Sequence, residues 1–250
     1  MASIELKNVS VIFPIYDSSM RSLKNRIIPS SLGGRIGSGG GGRESVVEAL
    51  TDVTLKFEHG DRVGLVGHNG AGKTTLLRVL AGLYEPCSGE AKIEGHIAPL
   101  FDIFLGMDPE ATGYDNILLR GLFLGMTRKE AMERMEDIAA FTELGEFLDL
   151  PMRTYSAGMR MRLAFAVSTS IKPDILLLDE GIGAGDAAFL EKAEKRLKEF
   201  TEQAGIIVLA SHSNGLILKM CKTAILMNRG QVVMVGAVEE ILERYSERRI

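Results

Sequence analysis

A chain of 250 residues accommodates one large α/β domain or two smaller lobes. Hydrophobic residues make up 46% and charged residues 25%, an ordinary globular balance, and a formal net charge of −4 argues against nucleic acid as the main partner. The two cysteines, Cys87 and Cys221, have no paired spacing and read as small apolar fillers, not as a disulfide or zinc site.

The N-terminal MASIELKNVSV carries charge inside its apolar stretch and offers no cleavage site, so it is not read as a signal peptide. No run approaches the roughly 20 apolar residues that span a bilayer, so any membrane role needs a partner. Residues 3–13 read as a strand with partial alternation. Residues 18–28 place Met20, Leu23 and Ile27 at helical spacing with Arg21, Lys24 and Arg26 between them, and Pro29 ends that basic amphipathic segment. The stretch Gly33–Gly42 is mostly glycine and is expected to hold no regular element, forming a flexible insertion at about 30–45. Residues 46–58 restart strand character, and Arg62–Val66 is a buried strand that runs straight into a glycine loop. Thr74–Ala81 reads as a helix stopped by Gly82.

The middle of the chain is expected to be a helical lobe, about residues 107–172. Within it Thr127-Arg-Lys-Glu130 is a capping box that opens a helix through about Phe141. Strands and helices then alternate again: a strand at Ile175–Leu178, a helix over Asp186–Gln203 capped by its aspartate, and a strand at Ile206–Ala210. A hairpin joins Thr223–Met227 to Gln231–Val235, and a last helix starts near Val238. Such alternation implies a parallel sheet covered on both faces, so about 1–106 and 173–250 form a core lobe.

Gly67-His68-Asn69-Gly70-Ala71-Gly72-Lys73-Thr74, followed by Thr75, fits G-x-x-x-x-G-K-[ST] between an apolar strand and a helix. Glycines let backbone N–H groups turn toward phosphates, and the following helix aims its positive end at the same place. Lys73 is expected on the β- and γ-phosphates and the Thr74 hydroxyl on Mg2+. His68 lies at a free position of the pattern and is given no chemistry of its own. Ile175-Leu-Leu-Leu-Asp179-Glu180 is an apolar strand ending in two acids. Asp179 stands where a nucleotide-binding sheet holds Mg2+ through water, and Glu180 is the candidate to orient or deprotonate the attacking water. An isolated acidic pair often only solvates a strand end; downstream of a phosphate loop the ligand reading gains weight, because such folds place ligands at the carboxyl ends of parallel strands. His212, after a buried strand, is a polar cap by itself and a γ-phosphate contact beside this machinery. His59 and His96 sit in turns and are read as bland.

Tyr155-Ser156-Ala157-Gly158-Met159 precedes a helical run from Arg160, so serine and glycine stand at a helix start, 23 residues before Asp179. An N-cap is the plain reading, and a second anion site is the functional one. In this order, phosphate loop, YSAGM, LLLDE and Ser-His, the chain resembles ABC-type ATPases over nearly its whole length. The YS-x-GM variant of the usual LSGGQ signature resembles the ATPase subunits of polysaccharide exporters for O-antigen, capsule and teichoic acid. Three further features lean the same way: Asp108–Ile117, Gly185-Asp186-Ala-Ala-Phe189, and the insertion after Tyr16 that ends in Val46–Leu50.

The resemblance implies an α/β fold with a mixed-sheet core lobe, a helical lobe and an antiparallel β portion. It implies ATP and Mg2+ as ligands and a head-to-tail dimer with a second copy of the chain, in which Ser156 and Gly158 contact the γ-phosphate in trans and Ala184-Gly185-Asp186 meets the partner. Asp102 falls where the family usually has glutamine between γ-phosphate, Mg2+ and the membrane subunit; the aspartate is shorter, and related exporters often carry an acid there. An aromatic ring near the end of the first strand is expected on adenine. Phe13 and Tyr16 are both candidates, and each also reads as core. No guanine-reading motif is present. The basic segment at 18–28 reads equally as a surface helix or as an element beside the lipid headgroups.

The function implied is the ATP-hydrolysing subunit of an exporter for a lipid-linked polysaccharide, peripheral at the cytoplasmic face of the inner membrane and paired with a separate transmembrane subunit. The chain ends soon after residue 240, so no carbohydrate-binding domain of its own is expected. A soluble ABC ATPase acting on ribosomes or DNA is the alternative, but those usually carry two ATPase domains or long coiled-coil insertions. A binding-only module is disfavoured by the presence of both Lys73 and Glu180.

Overall fold

Register shifts between strands and a run of close backbone contacts organise the strand-rich half of the chain. The computed structural model describes residues 1–15, 35–38, 45–179 and 187–247. They divide into two units, Ser3–Glu94 with Val208–Ile250, and Met1–Ala2 with Gly95–Ile207. The middle helices expected at 107–172 fall inside the second of these.

In the strand-rich unit, β1 (Ser3–Ile15) pairs antiparallel with both β3 (Ser45–Glu58) and β5 (Ser88–Glu94). Ile4 and Leu6 are buried at even positions, Val9 and Val11 at odd ones. Asn8 (φ 51°) lies at the register shift between those pairs, where one extra residue of β1 flips the buried face, and Asp52 (φ 50°) lies at the next shift, where the extra residue is on β3. This bulge is why alternation in the sequence is only partial. The glycine-rich stretch differs from expectation. Arg35–Ser38 forms β2, antiparallel to Ser45–Glu48 of β3, completing the order β2-β3-β1-β5. A ladder is made by backbone groups, which glycine also carries, so low side-chain content did not prevent pairing. The basic segment at 18–28 and Tyr16 lie outside the described residues.

The same unit holds β4 (Arg62–Val66), β9 (Thr223–Asn228) and β10 (Gln231–Ala237), in the order β10-β9-β4-β8, where β8 is Ile206–Ala210. β4 and β9 run parallel. The β9–β10 turn is Arg229-Gly230, both at positive φ (46° and 79°), the type I′ geometry that matches strand twist. Helix α1 (Lys73–Leu80) follows the glycine loop and ends at Ala81, with Gly82 left-handed behind it. β4 is buried along its length. A side chain at Gly64 would meet Ile217 at 2.7 Å, where α7 (Asn214–Met220) packs. α8 (Val238–Glu247) buries Val238, Ile241 and Leu242, one helical stripe. Cys221, the residue that caps the end of α7, is buried, which pushes its thiol pKa up to about 11, whereas Cys87 is exposed and is no apolar filler. Cys87 is held at the strand edge by its own backbone, its N–H bonding Ser10 O at 2.8 Å.

In the helix-rich unit, β6 (Ile97–Pro99) pairs parallel with β7 (Ile175–Asp179), in the order β8-β7-β6. α2 (Gly113–Phe123) starts at a capping box made by Thr112 and Asp115, and α5 (Ala157–Ser168) packs against it. The Thr127 capping box is present, but the helix it opens stops at Glu133. It resumes as α4 (Met135–Thr142) after α3 (Arg128–Glu133), with Arg134 between them. The Arg134 guanidinium donates to the Ser170 carbonyl, a tie 36 residues away that a local pattern does not contain. Phe141, Phe165 and Phe189 pack ring against ring at 5.6–6.2 Å, joining α4 and α5 to α6 (Ala187–Gln203). The aspartate expected to cap α6, Asp186, lies outside the described residues.

Asn116 on α2 is fully buried. Its side chain accepts from Asp108 N–H (2.7 Å) and donates to the carbonyls of Asp108, Ala111 and Thr112 (2.9–3.2 Å). It therefore replaces secondary structure for the Asp108–Thr112 turn. Asn116→Ala leaves buried groups without partners and is expected to cost about 2–3 kcal/mol, against about 1 kcal/mol for Thr127→Ala at an exposed cap. Urea unfolding of both variants measures the difference; equal midpoints would show that the buried amide holds nothing.

Candidate nucleotide-binding site

The loop that follows β4 is shaped from behind by backbone. A side chain at Gly67 would lie 2.4 Å from Met227 O. Gly72 has φ 105°, and a side chain there would lie 2.9 Å from Ala49 O. The β9–β10 turn closes the gap: Gly230 N–H donates to Ala71 O (2.9 Å), and Thr51 N–H donates to Gly230 O (2.9 Å). Only residues without a side chain fit between these three backbones.

The front of the loop suits an anion. α1 begins at Lys73 with Gly72 as N-cap, no side chain caps its N–H groups, and its first turn carries no acid. The positive helix end, with no acid beside it, therefore favours an anion at this place. Lys73 is buried and its ammonium donates to Gly67 O (2.5 Å) and His68 O (3.2 Å), which holds the positive charge on the loop itself. Thr74 is exposed and Thr75 half-buried beside it. A helix start, one ammonium and a hydroxyl make a donor set that suits a polyphosphate. Asn69 and Gly70 form the exposed crest, and Ala71 is buried against the hairpin.

His68 does not face outward. Its Nδ1 meets Asn69 O at 2.6 Å and its Nε2 meets the Asn228 side-chain amide at 2.9 Å. Nothing in the local sequence announces Asn228, which is 160 residues away. His212 lies exposed in the turn from β8 to α7, in the same unit as the loop. Ser213 caps α7 there by accepting from Leu216 N–H, and Ser211 Oγ accepts from Ser213 N–H at 2.9 Å. Phe13, near the end of β1, is 37% exposed, so it is no core residue. Its ring stands edge-on to Tyr84 at 5.2 Å, and Arg78 bonds the Tyr84 hydroxyl at 3.1 Å. Sequence reasoning missed Tyr84. Phe13 pairs with Val47 on β3, two residues from the Ala49 carbonyl that abuts Gly72.

The other expected residues belong to the helix-rich unit. Asp179 ends β7, half-buried. Glu180 and the Ala184–Asp186 turn lie outside the described residues. Ser156 is exposed and is the N-cap of α5, its hydroxyl accepting from Met159 N–H at 3.2 Å; Gly158 follows inside the first turn. Asp102 is exposed in a left-handed conformation (φ 49°). Its turn is gripped by Arg120, which is fully buried. That guanidinium donates to Leu105 O, to Pro99 O at 3.4 Å and to Ser168 Oγ at 3.2 Å. Burial lowers the Arg120 pKa to about 10, opposed by the Asp102 charge. The single charge in the apolar run Ile117–Leu124 is the sequence signal that could have flagged it.

A family model described as ABC transporter matches residues 50–183. The chain belongs to the ABC transporter family. Its relatives include the O-antigen export system ATP-binding protein RfbE of Yersinia enterocolitica, 48% identical over 232 residues, 93% of this chain and 97% of that protein. The teichoic acids export ATP-binding protein TagH of Listeria monocytogenes is 34% identical over 244 residues, 98% of this chain and 70% of that protein. The dimeric post-hydrolysis structure of the ATP-binding cassette MJ0796 bound to ADP and Pi has a TM-score of 0.66 at 22% identity, over 94% of this chain and 98% of that one. This ABC cassette therefore has the expected α/β architecture: a mixed sheet, a group of helices and an antiparallel portion.

Gly72→Ala is expected to destabilise the cassette by about 1–3 kcal/mol through its positive φ alone, with displacement of Ala49 besides. Urea unfolding together with nucleotide titration checks it, and a variant as stable and as tight-binding as wild type would show that the loop has room to spare.

Proposed function

We propose that this chain is the ATP-hydrolysing subunit of an exporter that drives a lipid-linked polysaccharide across the inner membrane. The observation that carries the reading is the phosphate loop: uncapped helix amides, no acid in the first turn, and a buried ammonium on the loop carbonyls. The exporter assignment rests on relatives named for O-antigen and teichoic acid export.

In this reading the loop amides and Lys73 bind the β- and γ-phosphates of ATP. Thr74 and Asp179 are the residues that would hold Mg2+, which supplies neutralisation of charge on the phosphates, and Asp102 lies in the turn assigned to sense it. Glu180 takes the proton of the attacking water, and His212 donates to the γ-phosphate. The exposed Phe13 ring supports adenine, with Tyr84 bracing it edge-on. Ser156 and Gly158 serve the ATP of a second copy. An exposed hydroxyl that already caps a helix start is consistent with that task, because the same end of α5 presents further N–H groups.

The subunit works with a separate membrane protein from the cytoplasmic face. Among the described residues no helix is long and apolar enough to cross a membrane. Phe104 and Leu105, in the turn after Asp102, and Leu119, Leu122 and Phe123, on α2, are 38–44% exposed, apolar surface of the kind a partner covers.

Glu180→Gln is expected to retain ATP binding while turnover falls by about 100-fold or more, the scale of a lost general base. Single-turnover hydrolysis with purified protein measures this, and unchanged turnover removes Glu180 from the base role. Ser156→Arg places bulk and charge at the trans site. It is expected to block hydrolysis while monomer affinity for ATP stays at the wild-type value; loss of monomer affinity would mean that Ser156 acts within its own chain.

A further inference from the structure

We propose that His68 is a positioning residue: with Asn228 it forms a strut that holds the crest of the phosphate loop against the β9–β10 hairpin. The inference rests on the ATP-binding reading of the loop.

The pattern G-x-x-x-x-G-K-[ST] leaves position 68 open, and an anion-binding histidine is one thing it could carry. The geometry points elsewhere. Both ring nitrogens are engaged within the protein, Nδ1 with Asn69 O and Nε2 with Asn228. A carbonyl oxygen only accepts, so Nδ1 carries the proton in the first contact. A neutral ring then accepts at Nε2 from the Asn228 NH2, and an imidazolium donates to the Asn228 oxygen. Either protonation state keeps the strut, with only the amide turned over.

The crest needs such support. Asn69 and Gly70 are exposed, and Gly70 has φ 79°. A glycine-rich segment loses more backbone freedom on ordering than any other, so an unsupported crest would surrender affinity each time it ordered around a ligand. Neighbouring strands and turns meet the loop backbone near its ends, Gly67 against Met227 and Ala71 and Gly72 against Gly230 and Ala49, while across the crest the loop bonds itself, Ala71 N–H to His68 O at 3.1 Å, with Lys73 on the same carbonyl. The His68 side chain adds a tie from this self-bonded crest to the hairpin behind it. Asn228 is the last residue of β9, directly before the Arg229-Gly230 turn, so the side-chain strut and the Gly230–Ala71 bond spring from one hairpin. The loop's shape is thereby tied to a turn about 160 residues downstream.

The experiment uses the full chain and the variants His68→Ala, Asn228→Ala, the double variant and His68→Gln. Two readouts are taken: hydrogen exchange of the Asn69 and Gly70 amides without nucleotide, and affinity for a fluorescent methylanthraniloyl-ATP together with kcat and KM. Each alanine variant is expected to speed exchange at the crest and to raise Kd and KM about 3- to 10-fold, the size of one hydrogen bond, with kcat unchanged. The double variant is expected to be no worse than either single, since one contact is removed twice. His68→Gln, whose amide can meet the Asn228 amide, recovers part of the loss. Wild-type exchange rates at the crest in the alanine variants overturn the strut, as do additive losses of affinity in the double variant. If wild-type protein binds no nucleotide, the ATP reading fails instead, and the exchange data still decide the strut.

Discussion

An anion-binding loop must point its amides outward, and that requirement dictates how everything behind it is built. Half of the loop from Gly67 to Gly72 is glycine, which has no side chain with which to anchor itself. Other backbones must therefore come within hydrogen-bond or van der Waals reach. The parallel register of β4 and β9 does this at one end, since Val66 opposite Leu226 sets Gly67 beside the Met227 carbonyl. The type I′ turn at Arg229-Gly230 does it at the other, because Gly230 can both accept from Thr51 N–H and donate to Ala71 O. The hairpin, a feature of the C-terminal part of the chain, is thus a structural part of a motif read from residues 67–74. Lys73 completes the arrangement by neutralising loop carbonyls from within.

The helix-rich unit solves a different problem with side chains. Its turns carry exposed candidates such as Asp102, and such turns have no ladder to satisfy their carbonyls. Asn116 and Arg120, both fully buried on α2, stand in for that ladder. Arg120 spans Pro99, Leu105 and Ser168, so the Asp102 turn and the end of α5 share one guanidinium. A buried charge is costly, and here it is offset by carbonyls, by the Asp102 charge and by the Phe123 ring at 5.2 Å. Ser156 begins the helix whose far end Arg120 holds, so the same guanidinium ties that helix to the Asp102 turn.

Much of this was legible. The loop, the strand before it, the helix after it and the hairpin at Asn228-Arg229-Gly230 all announce themselves by short-range chemistry: glycine where φ is positive or space is absent, β-branched runs in strands, Thr-x-x-Glu at a helix start. The failures share a cause. Arg35–Ser38 pairs although its neighbourhood is mostly glycine, since strand pairing depends on a partner's backbone. The helix from Thr127 stops at Glu133 and resumes at Met135, and the intervening Arg134 bonds a carbonyl beyond the end of α5, a distant partner that a local pattern does not contain. Cys87 is exposed where the sequence reads as an apolar filler, and of the two readings left open for Phe13 the structure takes the surface one, because burial depends on what covers a strand end.

By itself the sequence determined the chemistry available: a phosphate loop, a signature serine and glycine, an acid-ended strand and a histidine, in the order of an ABC cassette. Those are choices of residue type at short spacing, and covalent neighbours suffice to express them. The tertiary structure alone decided which groups are spent inside the protein. It turned His68 from a free position into a partner of Asn228, made Arg120 and Asn116 into hubs, and gave Phe13 a Tyr84 neighbour. The His68, Arg120 and Phe13 pairings each close a stretch of chain longer than any local pattern for one or a few contacts, and only the packed core holds the two ends together; Asn116 works over a few residues, but its burial is likewise set by the packing around it.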